Sequence, residues 1–310
     1  MTNARWQRWM VVCNLLLAGG WLVWQWPASP VRALLGLAAA MLLLRLFMGL
    51  QFVTMARVNG RAHRAGHAGG LPAPSLAQLV RAWSAEARWA SVVFGWWQPF
   101  RHRAIPDWLP PASVDGPSPA RGVVLVHGFL CNRGFWALWM KVLRSRGHPF
   151  VAVTMEPAFG SIDDYVDTLD EAVRRVTAAT GRPPVVVGHS MGGLAVRAWL
   201  RGRQADARVH RVITLGSPHH GAWAARHSRS INGRQMVPQG EWLRQLAQDE
   251  PPGRRALFTC FYSNCDNAVY PTATATLDGA DNRFVEGLAH VQMAFHPPVV
   301  GACLDIIAAP

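Results

Sequence analysis

Hydrophobic and polar positions divide the chain into two regimes. Near the start, apolar residues form long unbroken runs; beyond residue 121 they form short runs separated by helical patterns. Residues 9–26, WMVVCNLLLAGGWLVWQW, carry no formal charge, and residues 33–56, ALLGLAAAMLLLRLFMGLQFVTMA, carry one, Arg45. About 20 apolar residues cross a bilayer core, so the pattern predicts two transmembrane helices, over about 9–26 and 33–56. PASP at 27–30 turns the chain between them into a hairpin. Trp6, Trp9, Trp21, Trp24 and Trp26 lie near the ends of the first span, where amphipathic rings favour the interface. No small-residue cleavage site comes after the first run, and a second run begins at once, which argues against a removed signal peptide. Arg45 must snorkel or pair, because a charge at depth is costly. Arg5 and Arg8 precede the first span and Arg57, Arg61 and Arg64 come after the second, with Arg32 alone in the loop. The positive-inside rule then places both ends of the hairpin, and the rest of the chain, in the cytoplasm.

Residues 60–75, GRAHRAGHAGGLPAPS, read as linker. Residues 76–100 show a helical pattern through Leu79, Trp83, Trp89 and Phe94; such a helix either lies on the membrane or packs on the domain that begins at residue 121. DWLPPASVDGPSPA at 107–120 is a second breaker-rich connection. The expected organisation is an anchor over 1–58, a linker with an amphipathic helix over 59–120, and one domain over 121–310.

Within that domain, GVVLVHG is a continuous β-branched run ending in glycine, as in a strand buried on both faces. A helix through Phe135, Trp139 and Leu143 comes next, then the strand PFVAVTM. SIDDYVDTLDEAVRRVTAATG is an amphipathic helix with Ser161 as N-cap, Asp164 in the capping position and Gly181 at its end. Then come the strand PVVVG, the helix SMGGLAVRAWLR, and the strands VHRVITLGS, RALFTCFYS and NRFVEG. The alternation predicts an α/β fold with a mainly parallel sheet and helices on both faces. Residues 222–256 interrupt it as a candidate lid, with Trp223, Met236, Trp242, Leu243 and Leu246 facing either an acyl chain or the sheet.

Gly188-His189-Ser190-Met191-Gly192 matches G-x-S-x-G between a strand and a helix, the context that gives the motif its meaning. The tight turn projects the Ser190 hydroxyl above the sheet's carboxyl edge. The helix that starts there aims its free N–H groups at the same spot, which favours a developing oxyanion. A serine needs a base held by a third group. In this architecture the order is Ser, acid, His. Asp266, just past the strand FTCFYS, is the preferred acid over Asp278, Asp281 and Asp249. His290, just after the last strand, is the preferred base over His296 and His219. The turn after VLVHGF supplies the Phe129 amide as an oxyanion donor, with the Met191 amide as its partner. His127 comes too early in that order to be the base and orients the loop instead.

Charge and cysteine usage narrow the picture. The chain has 31 basic and 18 acidic residues, net +13, and residues 1–119 hold 11 arginines against 3 acids. No basic helix interleaved with aromatics and no nucleic-acid motif accompanies the excess, so no nucleic-acid partner is expected. Five cysteines, an odd number without metal spacing, read as thiols, reduced in the cytoplasm. His219, His220 and His227 read as solvated or structural histidines rather than metal ligands.

HGF, GHSMGG, LGSPHHG, YSNCDNAVYP and EGLAHV succeed one another in the order of the α/β-hydrolase superfamily. Over residues 121–310 the chain resembles that superfamily's bacterial lipase and esterase branch. The resemblance implies carboxylic ester hydrolysis through an acyl-enzyme, with an acyl ester or lipid as substrate and no cofactor or metal. With the anchor, it implies a bacterial inner-membrane protein. The same motifs serve thioesterases and acyltransferases, and a non-catalytic membrane scaffold is the reading from a different class. Fold likeness alone does not choose among them.

Overall fold

A computed structural model of the chain describes residues 2–66, 71–109 and 120–309. Six strands form one sheet: β1 Val123–Val126, β2 Phe150–Ala152, β3 Val185–His189, β4 Arg211–Leu215, β5 Phe258–Tyr262 and β6 Asp281–Phe284. Their order is β2-β1-β3-β4-β5-β6 and every neighbouring pair is parallel. One isolated antiparallel bridge joins Trp108 to Phe150 at the β2 edge. The chain leaves β1 towards β2 and returns to β3 on the other side, so the sheet switches direction between β1 and β3. Ligand sites of open parallel sheets lie at the carboxyl ends there.

The strand residues alternate between two cores. Val124, Val126, Val186 and Val212 pack with Tyr165, Leu169, Leu194 and Trp199 on one face. Val123, Leu125, Val185, Val187 and Ile213 pack with Phe135, Trp136, Trp139 and Ile307 on the other. The covering helices in chain order are α1 Asn3–Gln25, α2 Pro30–Arg64, α3 Leu76–Val92, α4 Gln98–Phe100, α5 Ala137–Ser145, α6 Val166–Thr180, α7 Met191–Arg203, α8 Ile231–Gln235, α9 Glu241–Gln248, α10 His290–Met293 and α11 Pro297–Ala308. Ser161 and Asp164 form the expected capping box, on a 3₁₀ turn leading into α6, and Gly181 ends α6 in the left-handed conformation at φ 70°.

Three expectations change. The linker expected from residue 60 begins later, because α2 continues to Arg64; its residues 67–70, and 110–119 of the second connection, lie outside the described residues. The span expected to reach residue 56 gives up its last turns to the α/β region. Phe52 and Met55 are buried against Cys265, Tyr270 and Ala289. Of the five large apolar residues singled out in 222–256, Leu243 and Leu246 are buried in the core on one face of the sheet. Trp242 donates to Asp163 and Trp223 stacks on Tyr270. Met236 alone among them lines the cavity at the carboxyl edge of the sheet.

Among the described helices, α2 is long and apolar enough to cross a membrane by length and composition. α1 folds back beside it, with the Trp21 indole donating to the Ala33 carbonyl. α3 settles the alternative left by its pattern by packing inward through Ala82, Glu86 and Ala87, while Leu76 and Val80 stay exposed.

Candidate active site

Ser190 stands where β3 becomes α7. Its backbone sits at φ 55°, ψ −130°, a region that side chains adopt at a cost. Its N–H donates to the Leu215 carbonyl at 2.9 Å, tying the turn to the end of β4. A Cβ on Gly188 would lie 2.8 Å from the Gly193 nitrogen, so the turn requires glycine there. Met191 is the first residue of α7, and its amide has no acceptor inside the helix.

Behind the serine, β5 ends in the loop that carries Asp266. One carboxylate oxygen, Oδ1, accepts the Ala268 and Val269 amides at 2.9 and 2.8 Å. The other, Oδ2, lies 2.9 Å from Nδ1 of His290. His290 opens the short helix α10 rather than lying in a loop, and its own amide donates to Asn267. Burial lowers the affinity of its ring for a proton, but the charge and hydrogen bond of Asp266 and the charge of Glu86 outweigh that. The imidazole is held above the usual histidine range.

His189 lies beside His290. Its ring stacks on Phe135 with centroids 4.4 Å apart and is 4.6 Å from His290. Burial, with the neighbouring His290, pulls its pKa well down, so a neutral ring donates to the His290 carbonyl. His127 is likewise buried and pulled down to about 4 by desolvation. Its Nε2 accepts the Met155 amide at 2.9 Å, which leaves Nδ1–H to donate to the Gly128 carbonyl at 2.8 Å. The ring therefore ties the loop after β1 to the end of β2.

Ser190, His290 and Phe129 line one cavity of about 360 Å³, whose other walls include Met236, Tyr270 and Gln51. The structure brings together the residues that the sequence nominated: Ser190, His290 and Phe129 at the cavity, Asp266 behind His290, and Met191 next to the serine. The rivals lie elsewhere. Asp249 bonds Gln245, Asp281 pairs with Arg283, Asp278 is exposed, and His296 precedes α11. His219 is buried beside Thr214 and Cys260.

A model described as the alpha/beta hydrolase family matches residues 123–306. The chain belongs to the alpha/beta hydrolase family. Among solved structures, a Bacillus licheniformis lipase in its mature form is 19% identical, with a TM-score of 0.56, and the match covers 64% of this chain and 97% of that one. Aspergillus fumigatus lipase B is also 19% identical, with a TM-score of 0.54, covering 67% of this chain and 57% of that one. At such identities the likeness is one of fold.

Several residues that shape the site carry no sequence signal of their own. Gly216 has φ 57°, and a Cβ there would lie 2.7 Å from Oδ2 of Asp266 and 3.2 Å from Nδ1 of His290. It lies within LGSPHHG, so its position was visible but its reason was not. Gln51, Glu86 and Asn267 reach the site from segments whose sequence reads as span, linker and loop. Pairing of that kind is a tertiary fact without local pattern.

Proposed function

We propose that this hydrolase is a membrane-anchored serine enzyme that cleaves carboxylic esters with an apolar acyl group. The observation that carries the reading is the Asp266–His290 hydrogen bond set behind a cavity that Ser190 lines from a strained strand–helix turn. Asp266 holds the imidazole in the tautomer whose free Nε2 accepts a proton. His290 takes the Ser190 proton as the hydroxyl attacks the acyl carbonyl, then returns it to the leaving alcohol. The Phe129 and Met191 amides hold the oxyanion, and water, activated by the same imidazole, releases the acid.

The substrate class is argued from where α2 meets the cavity. Residues 30–50, at about 1.5 Å each, reach about 30 Å, one hydrocarbon core. Leu34, Leu43, Phe47 and Leu50 are exposed along this stretch, while the next residue, Gln51, lines the cavity. The cavity thus lies at the level where α2 leaves the bilayer, and an ester lipid reaches Ser190 without its chain crossing water. Arg45 sits about five residues from that level, within snorkelling reach of the interface. With α1 returning beside α2, the hairpin would hold the catalytic region on the cytoplasmic face of a bacterial inner membrane.

The deciding experiment compares full-length protein with Ser190→Ala on p-nitrophenyl esters in detergent micelles, alongside fluorophosphonate labelling. Activity and labelling are both expected to vanish in the variant. Equal rates would reject Ser190 as nucleophile. Adding glycerol as acceptor, or a thioester as donor, separates hydrolysis from acyl transfer and thioesterase action. A periplasm-dependent reporter fused at residue 310 is expected to stay silent.

A further inference from the structure

The family match starts at residue 123, yet three of the segments that form the site are held by side chains from before it. Gln7 of α1 donates to the Leu130 carbonyl at 2.7 Å, and Asn3 donates to that of Cys131, next to the oxyanion turn. Gln51 of α2 accepts from Asn267, and Asn59 accepts the Thr272 amide, on either side of the stretch after Asp266. Glu86 of α3 reaches the segment of the base: Oε1 and Oε2 both accept the Val291 amide at 3.0 Å, and Oε2 also accepts the Gln292 amide at 3.0 Å.

Glu86 is the unusual member of this set. It is 3% exposed, and no cation is paired with it among the described residues. Neutral acceptors cap short helices at far lower desolvation cost, so capping alone does not explain a buried carboxylate. Its nearest ionisable neighbours are His290 and, behind it, Asp266. Burial is the largest influence on this carboxyl and, with the charge of Asp266, holds its pKa above the usual carboxylate range, although the charge of His290 and the two amides oppose that. The imidazolium that forms when His290 takes a proton favours the ionised carboxylate beside it, and that carboxylate favours the imidazolium in turn.

We propose that Glu86 is a positioning residue for His290, supplied by the N-terminal segment, which thereby belongs to the catalytic machinery as well as to the anchor. By holding the Val291 and Gln292 amides it fixes the start of α10, and so the ring that lines the cavity together with Ser190. By its charge it raises the basicity of that ring together with Asp266. The third ionisable group against His290, His189, is neutral and adds no charge. The inference rests on the serine-hydrolase reading, with His290 as base.

The test uses full-length protein in detergent micelles with p-nitrophenyl butyrate, for wild type, Glu86→Gln, Glu86→Asp and Ala87→Val. Ala87 is buried on the same helix, and the added methyls disturb its packing while leaving the Glu86 carboxylate in the chain. Glu86→Gln is expected to lower kcat by about tenfold or more with KM within about twofold. Its acid limb of kcat/KM should move to lower pH, because a charge that favours imidazolium is gone. Glu86→Asp should keep the acid limb near wild type while losing part of kcat through reach. Ala87→Val should lower Tm and leave the limb unmoved. If Glu86→Gln does not fold, the acid limb of Glu86→Asp against that of Ala87→Val carries the same test: the inference requires both to coincide with wild type and only the former to lose kcat at a temperature where both are folded. An unmoved acid limb in Glu86→Gln, or a kcat loss in Ala87→Val equal to that of the Glu86 variants, overturns the inference. Full activity in Ser190→Ala would instead remove the reading beneath it, so the two failures are distinguishable.

Discussion

Oδ2 of Asp266 lies 2.9 Å from Nδ1 of His290 across 24 residues of sequence, and no side chain longer than hydrogen fits at position 216 beside that contact. The pair is therefore defined by three segments: the loop after β5 carries Asp266, α10 carries His290, and the end of β4 makes room for both. Each segment is held in turn. Asp266 is fixed by two amides of its own loop, and α10 by Glu86.

The first consequence is the pH dependence of turnover. In the proposed mechanism His290 must be unprotonated to accept the serine proton. Its pKa is raised, since the Asp266 and Glu86 charges outweigh burial. Activity should therefore rise with pH through a value above the unperturbed imidazole pKa of about 6.5. Asp266→Asn removes the largest raising influence, so its acid limb should shift to lower pH, and loss of the correct tautomer should reduce kcat by about 10⁴-fold. A kcat/KM profile measured for both proteins checks the two effects together. An Asp266→Asn profile with the wild-type limb and rate would show that this contact does not govern the base.

Gly216→Ala should be disproportionately harmful for a single methyl group. The new Cβ would meet Oδ2 of Asp266 at 2.7 Å, and the backbone at φ 57° is strained for alanine. Strain and displacement together should destabilise the fold by about 2 kcal/mol. A shift of about 1 Å in the acid–base pair should lower kcat by about 10²-fold. Thermal unfolding and steady-state kinetics on the same sample measure both. A variant with lowered Tm and unchanged kcat would mean that the loops yield without moving His290.

Much of this was legible in the sequence because the alternation of strands and helices is dictated locally. Val123–Val126 and Val185–Val187 are β-branched apart from Leu125 and buried on both faces, as in a covered parallel sheet. The serine turn was legible because its glycines answer a steric demand at a fixed spacing. What escaped was long-range. The end of α2 looks as apolar as the rest of the helix, and nothing in QFVTMA announces that Phe52 and Met55 are covered by the α/β region. Glu86 reads as a surface charge on an amphipathic helix; only the fold, 205 residues along, brings its carboxylate to Val291.

The acyl side of the cavity gives the remaining prediction. Met236 is 8% exposed and lines the cavity beside small residues, including Ala222 and Ala225. Each methylene of an acyl chain that enters such a wall is worth about 0.8 kcal/mol, so kcat/KM should climb from acetate through butyrate to octanoate esters until the cavity is full. Met236→Trp fills part of the space from one side while leaving Ser190, His290 and Phe129 in place. The climb should then stop at a shorter chain, with octanoate losing about tenfold and acetate staying within about twofold of wild type. The loss should appear chiefly in KM, because the chain contributes binding that is the same before and in the transition state. A uniform fall across all chain lengths would place Met236 in support of the catalytic loops, and the acyl chain would then have to lie along another wall.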